Sequence, residues 1–316
     1  GSAGWMTASM MAKHWDDKGV DITLIESPDI GVIGVGEGST PMLKTFFQFL
    51  GIEEQEWMPE CNATYKNGIR FEGWCTKPGF ENYFHPFVSE LDGYTLQLFE
   101  RNALLRRCGV NVEVQPDKFF LTSILAEKRL APIPHHNFPF DVSYGYHFDS
   151  ILLGKFLKNR MIGKGVKHIE AKIVGVKQHH NGDIASLTTE TDDTIEADFF
   201  VDCTGFIGYL IQKTLGVPFV SFSDNLFNDS AVAIPSSIDN DMPSETVSTA
   251  MRNGWAWKIP LQSRYGNGYV YSSNYCSGDE AETELRELMG ALDSDCDARH
   301  IKMKVGRLKS NWSNNC

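Results

Sequence analysis

Apolar positions along this chain recur with a period that switches between helical and strand-like, and the switches divide it into alternating elements. Gly1-Ser2-Ala3-Gly4 runs into a small-residue helix that continues through Ala12, and residues 21–26 alternate as a strand ending in Glu26. Glycines at 31, 34, 36 and 38 precede an amphipathic helix over 42–50, for which Ser39 or Thr40 could be the cap and Pro41 the first helical residue. Residues 64–74 alternate as one strand. A helix is predicted over 94–109, with Leu96, Leu98, Leu104 and Leu105 as its apolar positions, and a second over 150–163 with Asp149 or Ser150 as cap. Residues 116–139 between them are irregular.

A meander follows over 166–178, 184–191 and 194–200, turning at Asn181-Gly182. It leads into a buried strand at 199–206 that ends in the polar turn Asp202-Cys203-Thr204-Gly205. Beyond a short strand at 231–235 comes Gly254-Trp255-Ala256-Trp257-Lys258-Ile259-Pro260-Leu261, expected to pair with 268–273 across a turn at 265–268. A helix over 280–292, capped by Ser277 or Asp279, and a strand at 302–308 complete the reading. No repeat or linker interrupts it, so the chain reads as one α/β architecture with some α+β elements and an inserted lobe at about 61–139.

Composition acts by exclusion. Hydrophobic residues make up 42% and charged residues 22%, as in an ordinary globular protein. A net charge of −12 with no basic run disfavours nucleic acid and anionic membranes as partners. No apolar stretch is long enough for a bilayer and no signal peptide opens the sequence. Seven cysteines without C-x-x-C spacing read as reduced thiols in a cytoplasm. The chain begins in what reads as a loop and stops at Asn314-Asn315-Cys316 without a turn or cap, which reads as an internal fragment.

Several stretches carry candidate chemistry. The opening turn, its helix and the acid-ended strand match the last half of G-x-G-x-x-G in a βαβ unit. Gly1 would let amides reach a pyrophosphate, Gly4 would let the helix approach the strand, and Glu26 would accept from ribose hydroxyls. A plain Gly-rich turn into a helix is the other reading. The segment at 31–41 suits a strap laid over a flat ring system. Lys66, beside Tyr65 in an apolar alternating strand, is either a surface lysine or an inward one whose desolvated amine is a nucleophile or tuned donor. Trp255 and Trp257, two apart in a strand, place both indoles on one sheet face, as a half-buried aromatic stripe or as a wall against something flat. His135-His136 and His179-His180 have no Cys or carboxylate at ligand spacing, so no metal is expected.

Taken in order, Gly1-Ser2-Ala3-Gly4-Trp5-Met6, Gly34-Val35-Gly36-Glu37, Tyr65-Lys66, Tyr146-His147-Phe148-Asp149, Asp202-Cys203-Thr204-Gly205-Phe206 and Gly254-Trp255-Ala256-Trp257-Lys258-Ile259-Pro260 resemble the flavin-dependent tryptophan halogenases over essentially the whole chain. The resemblance implies a Rossmann-like flavin monooxygenase/halogenase fold with an FAD-binding module at about 1–60 and 140–316. It implies FAD held by Gly1, Ser2, Ala3, Gly4, Glu26, Gly36, Glu37, Ser39, Thr40, Asp202 and Gly205, and supplied reduced by a separate flavin reductase. Oxygen and a halide ion, chloride or bromide, then give hypohalous acid that halogenates a small aromatic, tryptophan or another indole. Lys66 matches the lysine that holds this acid, His85 falls near a substrate-stacking histidine, and Trp255, Trp257, Ile259 and Pro260 match the wall between flavin and substrate. In the family the acid partner of the lysine lies in a Glu-Pro-Leu-Glu-Ser-Thr segment past Asn315-Cys316, so this chain alone is expected not to complete catalysis. A homodimer is compatible with the resemblance. A flavin-dependent aromatic hydroxylase of the same fold, or a flavin-binding fragment without turnover, remain alternatives.

Overall fold

A computed structural model describes residues 1–16, 18–31, 34–134, 137–292 and 295–316. His135 and His136, and Val32 and Ile33 of the glycine-rich segment, lie outside the described residues. The chain divides into two compact units, one of Gly1–Ile33, Leu153–Asp229 and Lys302–Cys316, the other of Gly34–Leu152 and Ser230–Ile301.

In the first unit the small-residue run forms the helix Ser2–His14, with Lys13 and His14 in the last turn, where cations complement the helix dipole. The strand Thr23–Glu26 pairs in parallel with Lys167–Glu170, from Thr23 opposite Lys167 to Glu26 opposite Glu170. Lys167–Glu170 therefore leaves the predicted meander, which is a separate antiparallel sheet of Ile173–Gln178, Ile184–Thr189 and Thr194–Glu196. Ile184, Leu187, Phe200, Leu210 and Cys316 form its core.

The buried strand expected at 199–206 is not one. Phe200 is buried and its N–H donates to the Asn315 carbonyl at 2.9 Å, but Val201 is 45% exposed and no ladder forms among the described residues. The strand expected at 302–308 is two short ones, Arg299–Lys302 and Gly306–Leu308, in different sheets.

The second unit is built on a seven-stranded sheet in the order Arg299–Lys302, Ser230–Ser236, Tyr265–Tyr271, Gly254–Pro260, Thr246–Met251, Gly68–Glu72, Tyr83–Pro86. The connection between the tryptophan strand and its partner is residues 261–264, closed by Leu261 N–H to the Arg264 carbonyl at 2.9 Å. The expected turn at 265–268 lies inside the ladder instead. One sheet face packs Val232, Ile234, Ala256, Tyr269 and Tyr271 against Ala281 and Leu285 of the helix Gly278–Leu288. That helix opens on a reciprocal Ser277–Glu280 capping box, which satisfies two otherwise unpaired amides. Burying a leucine as fully as Leu285 contributes roughly 1.5–3 kcal/mol.

Helix Met42–Leu50 buries Leu43, Phe46, Phe47 and Leu50, the i, i+3, i+4, i+7 positions its pattern predicts, and ends at Gly51 with φ 66°. Its N-terminus has no side-chain cap: Ser39 Oγ accepts from Tyr146 N–H at 2.9 Å instead, and Thr40 contributes only its carbonyl to Leu43 N–H. Helix Gly93–Arg107 has no buried residue, so Leu98 and Leu104 lie exposed rather than forming the apolar face the pattern suggested.

The single strand expected over 64–74 is two. Thr64–Lys66 joins a three-stranded sheet with Gly145–Phe148 and Glu37–Gly38, while Gly68–Glu72 belongs to the large sheet. Asn67 makes the break. It is fully buried, its N–H donates to the Ser244 carbonyl at 2.8 Å, and Nδ2 donates to the Leu130 carbonyl at 2.8 Å and to Ser244 Oγ at 2.9 Å. Lys66 sits where the chain crosses from one sheet to the other.

Candidate functional site

At that crossing the Lys66 side chain is 5% exposed, and no carboxylate lies within ion-pair distance of it among the described residues. Burial pushes its ammonium pKa down to about 8. It faces a cavity of about 500 Å³ shared with Trp255, Trp257, Ile259, Gly36, Gly38 and Thr246. The tryptophan rings are 6.1 Å apart and tilted 56° on one face, as their spacing dictates, and Ile69 and Phe71, two strands along the same sheet, extend that apolar surface. Trp257 lies directly over Gly268, across the ladder: a Cβ on Gly268 would fall 2.1 Å from Trp257 Cζ2.

Two further glycines shape the opposite wall. A Cβ on Gly38 would stand 3.0 Å from Lys66 Nζ and 3.2 Å from Thr246 Oγ1. One on Gly266 would stand 2.1 Å from the Val35 carbonyl, so the segment entering at Gly34 lies flat against the hairpin, with Gly36 at φ +88°. Glu37 is committed within the protein. Its carboxylate accepts from Ser150 N–H at 2.9 Å and Ser150 Oγ at 2.7 Å, while Asp149 Oδ1 accepts from Ile151 and Leu152 N–H. Together they cap the helix Ser150–Ile162, and burial raises the Glu37 pKa.

Behind Lys66 is a buried polar chain. His147 Nδ1 is 3.0 Å from Thr64 Oγ1, His147 Nε2 is 3.0 Å from Thr246 Oγ1, and Thr64 Oγ1 donates to the Pro260 carbonyl at 2.7 Å. Thus Pro260 joins the site through its carbonyl. His85, opposite Ile69 on the strand Tyr83–Pro86, keeps its side chain exposed; partial shielding and the nearby Lys66 charge lower its pKa.

Three phenols converge on Glu54. Tyr144 and Tyr146 donate to Oε1 at 2.7 and 2.6 Å, and Tyr65 donates to Oε2 at 2.7 Å. Burial, then the Glu54 bond, raises all three tyrosine pKa values. Tyr65 and Tyr146 are register partners, so Glu54 pins the strand pair that presents Lys66 and His147. Glu54→Gln keeps one carbonyl acceptor but turns the other oxygen into a donor facing a phenol. The expected loss is about 1–2 kcal/mol of unfolding free energy in urea; unchanged stability would show that the three bonds do not pin this pair.

The dinucleotide candidates lie in the first unit. Glu26 Oε1 accepts from Trp5 Nε1 at 3.1 Å. Gly4 faces Leu24 at a distance where a Cβ would make ordinary contact, 3.4 Å. Ser2 lies against Gly154, and the Ala3 carbonyl accepts from Thr7 Oγ1. Asp202 accepts from Thr204 N–H and Oγ1 and from Leu210 and Ile211 N–H, which makes it a cap for the turn Tyr209–Thr214, and Gly205 holds φ +65° in the same loop.

The pattern of residues had not singled out Glu54, Thr64, His147 as a buried group, Thr246 or Gly268. The one available signal was that Thr64-Tyr65-Lys66 and Gly145-Tyr146-His147 each place a polar group after an aromatic. Among the described residues there is no cluster of three or more potential metal ligands, and no helix is long and apolar enough to cross a membrane.

A mixed α/β fold with a lysine and a tryptophan pair in one apolar cavity defines a class, and the family comparison gives it a name. The family model described as tryptophan halogenase matches residues 1–316, and the chain belongs to that family. It is 40% identical to tryptophan 6-halogenase SttH of Streptomyces toxytricini, covering 100% of this chain and 64% of that protein. It is 39% identical to 7-chloro-L-tryptophan 6-halogenase KtzR of Kutzneria sp., covering 100% of this chain and 65% of that one. Among solved structures it superposes on Tar14, a tryptophan C-6 flavin-dependent halogenase (chlorinase) from taromycin biosynthesis, with TM-score 0.87, 41% identity, and 100% and 64% of the two chains covered. The chain thus spans a little under two thirds of the length of these relatives.

Proposed function

We propose that this protein is an FAD-dependent halogenase that uses hypohalous acid to halogenate an electron-rich aromatic, tryptophan or another indole. The observation that carries this reading is the buried Lys66, free of any carboxylate partner among the described residues, in one cavity with Trp255 and Trp257. The residues of the first unit fit FAD. The helix Ser2–His14 has no side-chain cap and no acid in its first turn, so its leading amides suit a pyrophosphate, and the Glu26 carboxylate at the strand end suits a ribose. Bound and reduced, FAD supplies with oxygen the oxidising equivalents that convert chloride or bromide to hypohalous acid.

The chain's own residues do the rest. Trp255 and Trp257 wall the cavity and give an aromatic substrate a flat apolar surface to pack against. Lys66, whose pKa burial lowers to about 8, donates a hydrogen bond to the acid from a buried position. A separate flavin reductase delivers the reduced cofactor, and the chain, whose seven cysteines are free thiols, works in the cytoplasm. A hydroxylase would need its substrate against the flavin, for which a wall of indoles would be self-defeating.

The test is product mass from the full-length protein, which carries the acid partner of Lys66, with a flavin reductase, chloride or bromide and a panel of indoles. A halogen isotope pattern on the indole is expected. A product that gains one oxygen and no halogen would overturn the reading in favour of a hydroxylase.

A further inference from the structure

Proton counting fixes the direction of the chain behind Lys66. Thr64 has one hydroxyl proton and gives it to the Pro260 carbonyl, which can only accept. The 3.0 Å contact between Thr64 Oγ1 and His147 Nδ1 must then be an Nδ1–H donating. His147 is fully buried, and burial followed by the Lys66 charge hold its pKa well below the usual value, so the ring is neutral and has no second proton. Nε2 is therefore an acceptor, and the 3.0 Å contact with Thr246 is a Thr246 hydroxyl donating to it. With its proton committed, Thr246 Oγ1 offers the cavity an acceptor only. It does so beside Lys66 Nζ, which offers donors; both stand within 3.2 Å of the point a Gly38 Cβ would take.

We propose that Thr246 is a further binding residue for the halogenating species, forming with Lys66 a two-point hold that takes hypohalous acid in its protonated form. The proposal rests on the halogenase reading above. Lys66 donates to the oxygen of the acid and the O–H of the acid donates to Thr246, which leaves the halogen as the unheld end. Hypohalite has no proton to give and meets a lone pair at Thr246. The site thus favours the neutral acid, the stronger electrophile, over its conjugate base. His147, Thr64 and Pro260 are positioning residues, and the Pro260 carbonyl of the tryptophan strand sets the direction of the whole chain.

Thr246→Val keeps the shape and removes the hydroxyl. In the full-length protein with FAD, reductase and halide, it is expected to lower the ratio of halogenated indole to free hypohalous acid, caught by a soluble scavenger, by roughly tenfold, the effect of one hydrogen bond at a buried residue. The alkaline limb of its product yield should move to lower pH, since nothing now favours the protonated acid, and Thr246→Ser should restore both. A merely structural role would move neither the ratio nor the limb. Nitrogen NMR of His147 in the native protein checks the direction without turnover, and a protonated Nδ1 with a bare Nε2 is expected. An Nε2-protonated ring, or a folded, FAD-binding Thr246→Val protein with unchanged ratio and pH limb, would overturn the proposal. Native protein that makes neither hypohalous acid nor halogenated product would instead sink the halogenase reading, and this proposal with it, while the His147 tautomer would still report the chain as drawn.

Discussion

In the full-length protein, with the proposed halogenase activity, replacing Lys66 with methionine is expected to remove halogenated indole by a factor of about 10³, within the usual span for losing a positioned proton donor, while free hypohalous acid continues to be made. The reason is local. Among the described residues Lys66 offers the only ammonium in a cavity lined mainly by indole, phenyl and aliphatic groups with the hydroxyls of Thr246 and Ser248, and methionine fills the same space without a donor. Halogenated product of unchanged regiochemistry from the variant would refute the role.

The same substitution should stabilise the fold, and the sign follows from linkage. The folded pKa of about 8 lies below the reference value of 10.5, so between these values the unfolded chain binds more protons and stability rises with pH. Below about pH 8 the full penalty of burying the charge applies, on the order of 3 kcal/mol. Lys66→Met should therefore be more stable than the native protein at pH 7, with the difference fading as pH approaches 10.5. Urea melts at both pH values measure it. A variant less stable at pH 7 would mean the ammonium has a partner that offsets its burial.

Gly268→Ala is expected to lower halogenation by about 10²-fold, the scale set by displacing a positioning group by an ångström. The new methyl would meet Trp257 at 2.1 Å, and the backbone cannot retreat because ladders hold it on both sides, Ala233 on one and Trp257 on the other. The indole must swing, and Trp255 is 6.1 Å away on the same face. Overpacking of this kind costs about 1–3 kcal/mol in stability. A second substitution, Trp257→Phe, makes room and should recover the stability but not the wall. Activity and melting behaviour both within error of the native protein would show that the indole has another place to go.

These glycines explain where local pattern misled. Tyr265-Gly266-Asn267-Gly268 has the composition of a turn, yet each glycine is there because something approaches too closely for a side chain: the Val35 carbonyl at Gly266, the Trp257 ring at Gly268. Close approach from a distant segment leaves no local signal. Helix Met42–Leu50 was legible because its i, i+3, i+4, i+7 positions Leu43, Phe46, Phe47 and Leu50 are the ones buried, and the shared face of Trp255 and Trp257 followed from strand geometry alone. Alternation over 64–74 continues through Asn67, whose partners at Leu130 and Ser244 are remote in sequence, so the division into two strands was hidden. Glu54 was invisible for the same reason, since two of its three phenols arrive from residues 144 and 146. At 199–206 an apolar run suggested a strand, but without a neighbour to complete a ladder it stays exposed at Val201.

The crossing at Asn67 separates two things that most cavities couple. The amine is carried by one sheet, tied down through Tyr65 and Glu54, while Ile69, Phe71 and the indoles are carried by the other. Ile69 and Phe71 can therefore be resized without touching the hydrogen bonds that anchor the strand bearing the amine, so the apolar lining can change while that anchor stays in place.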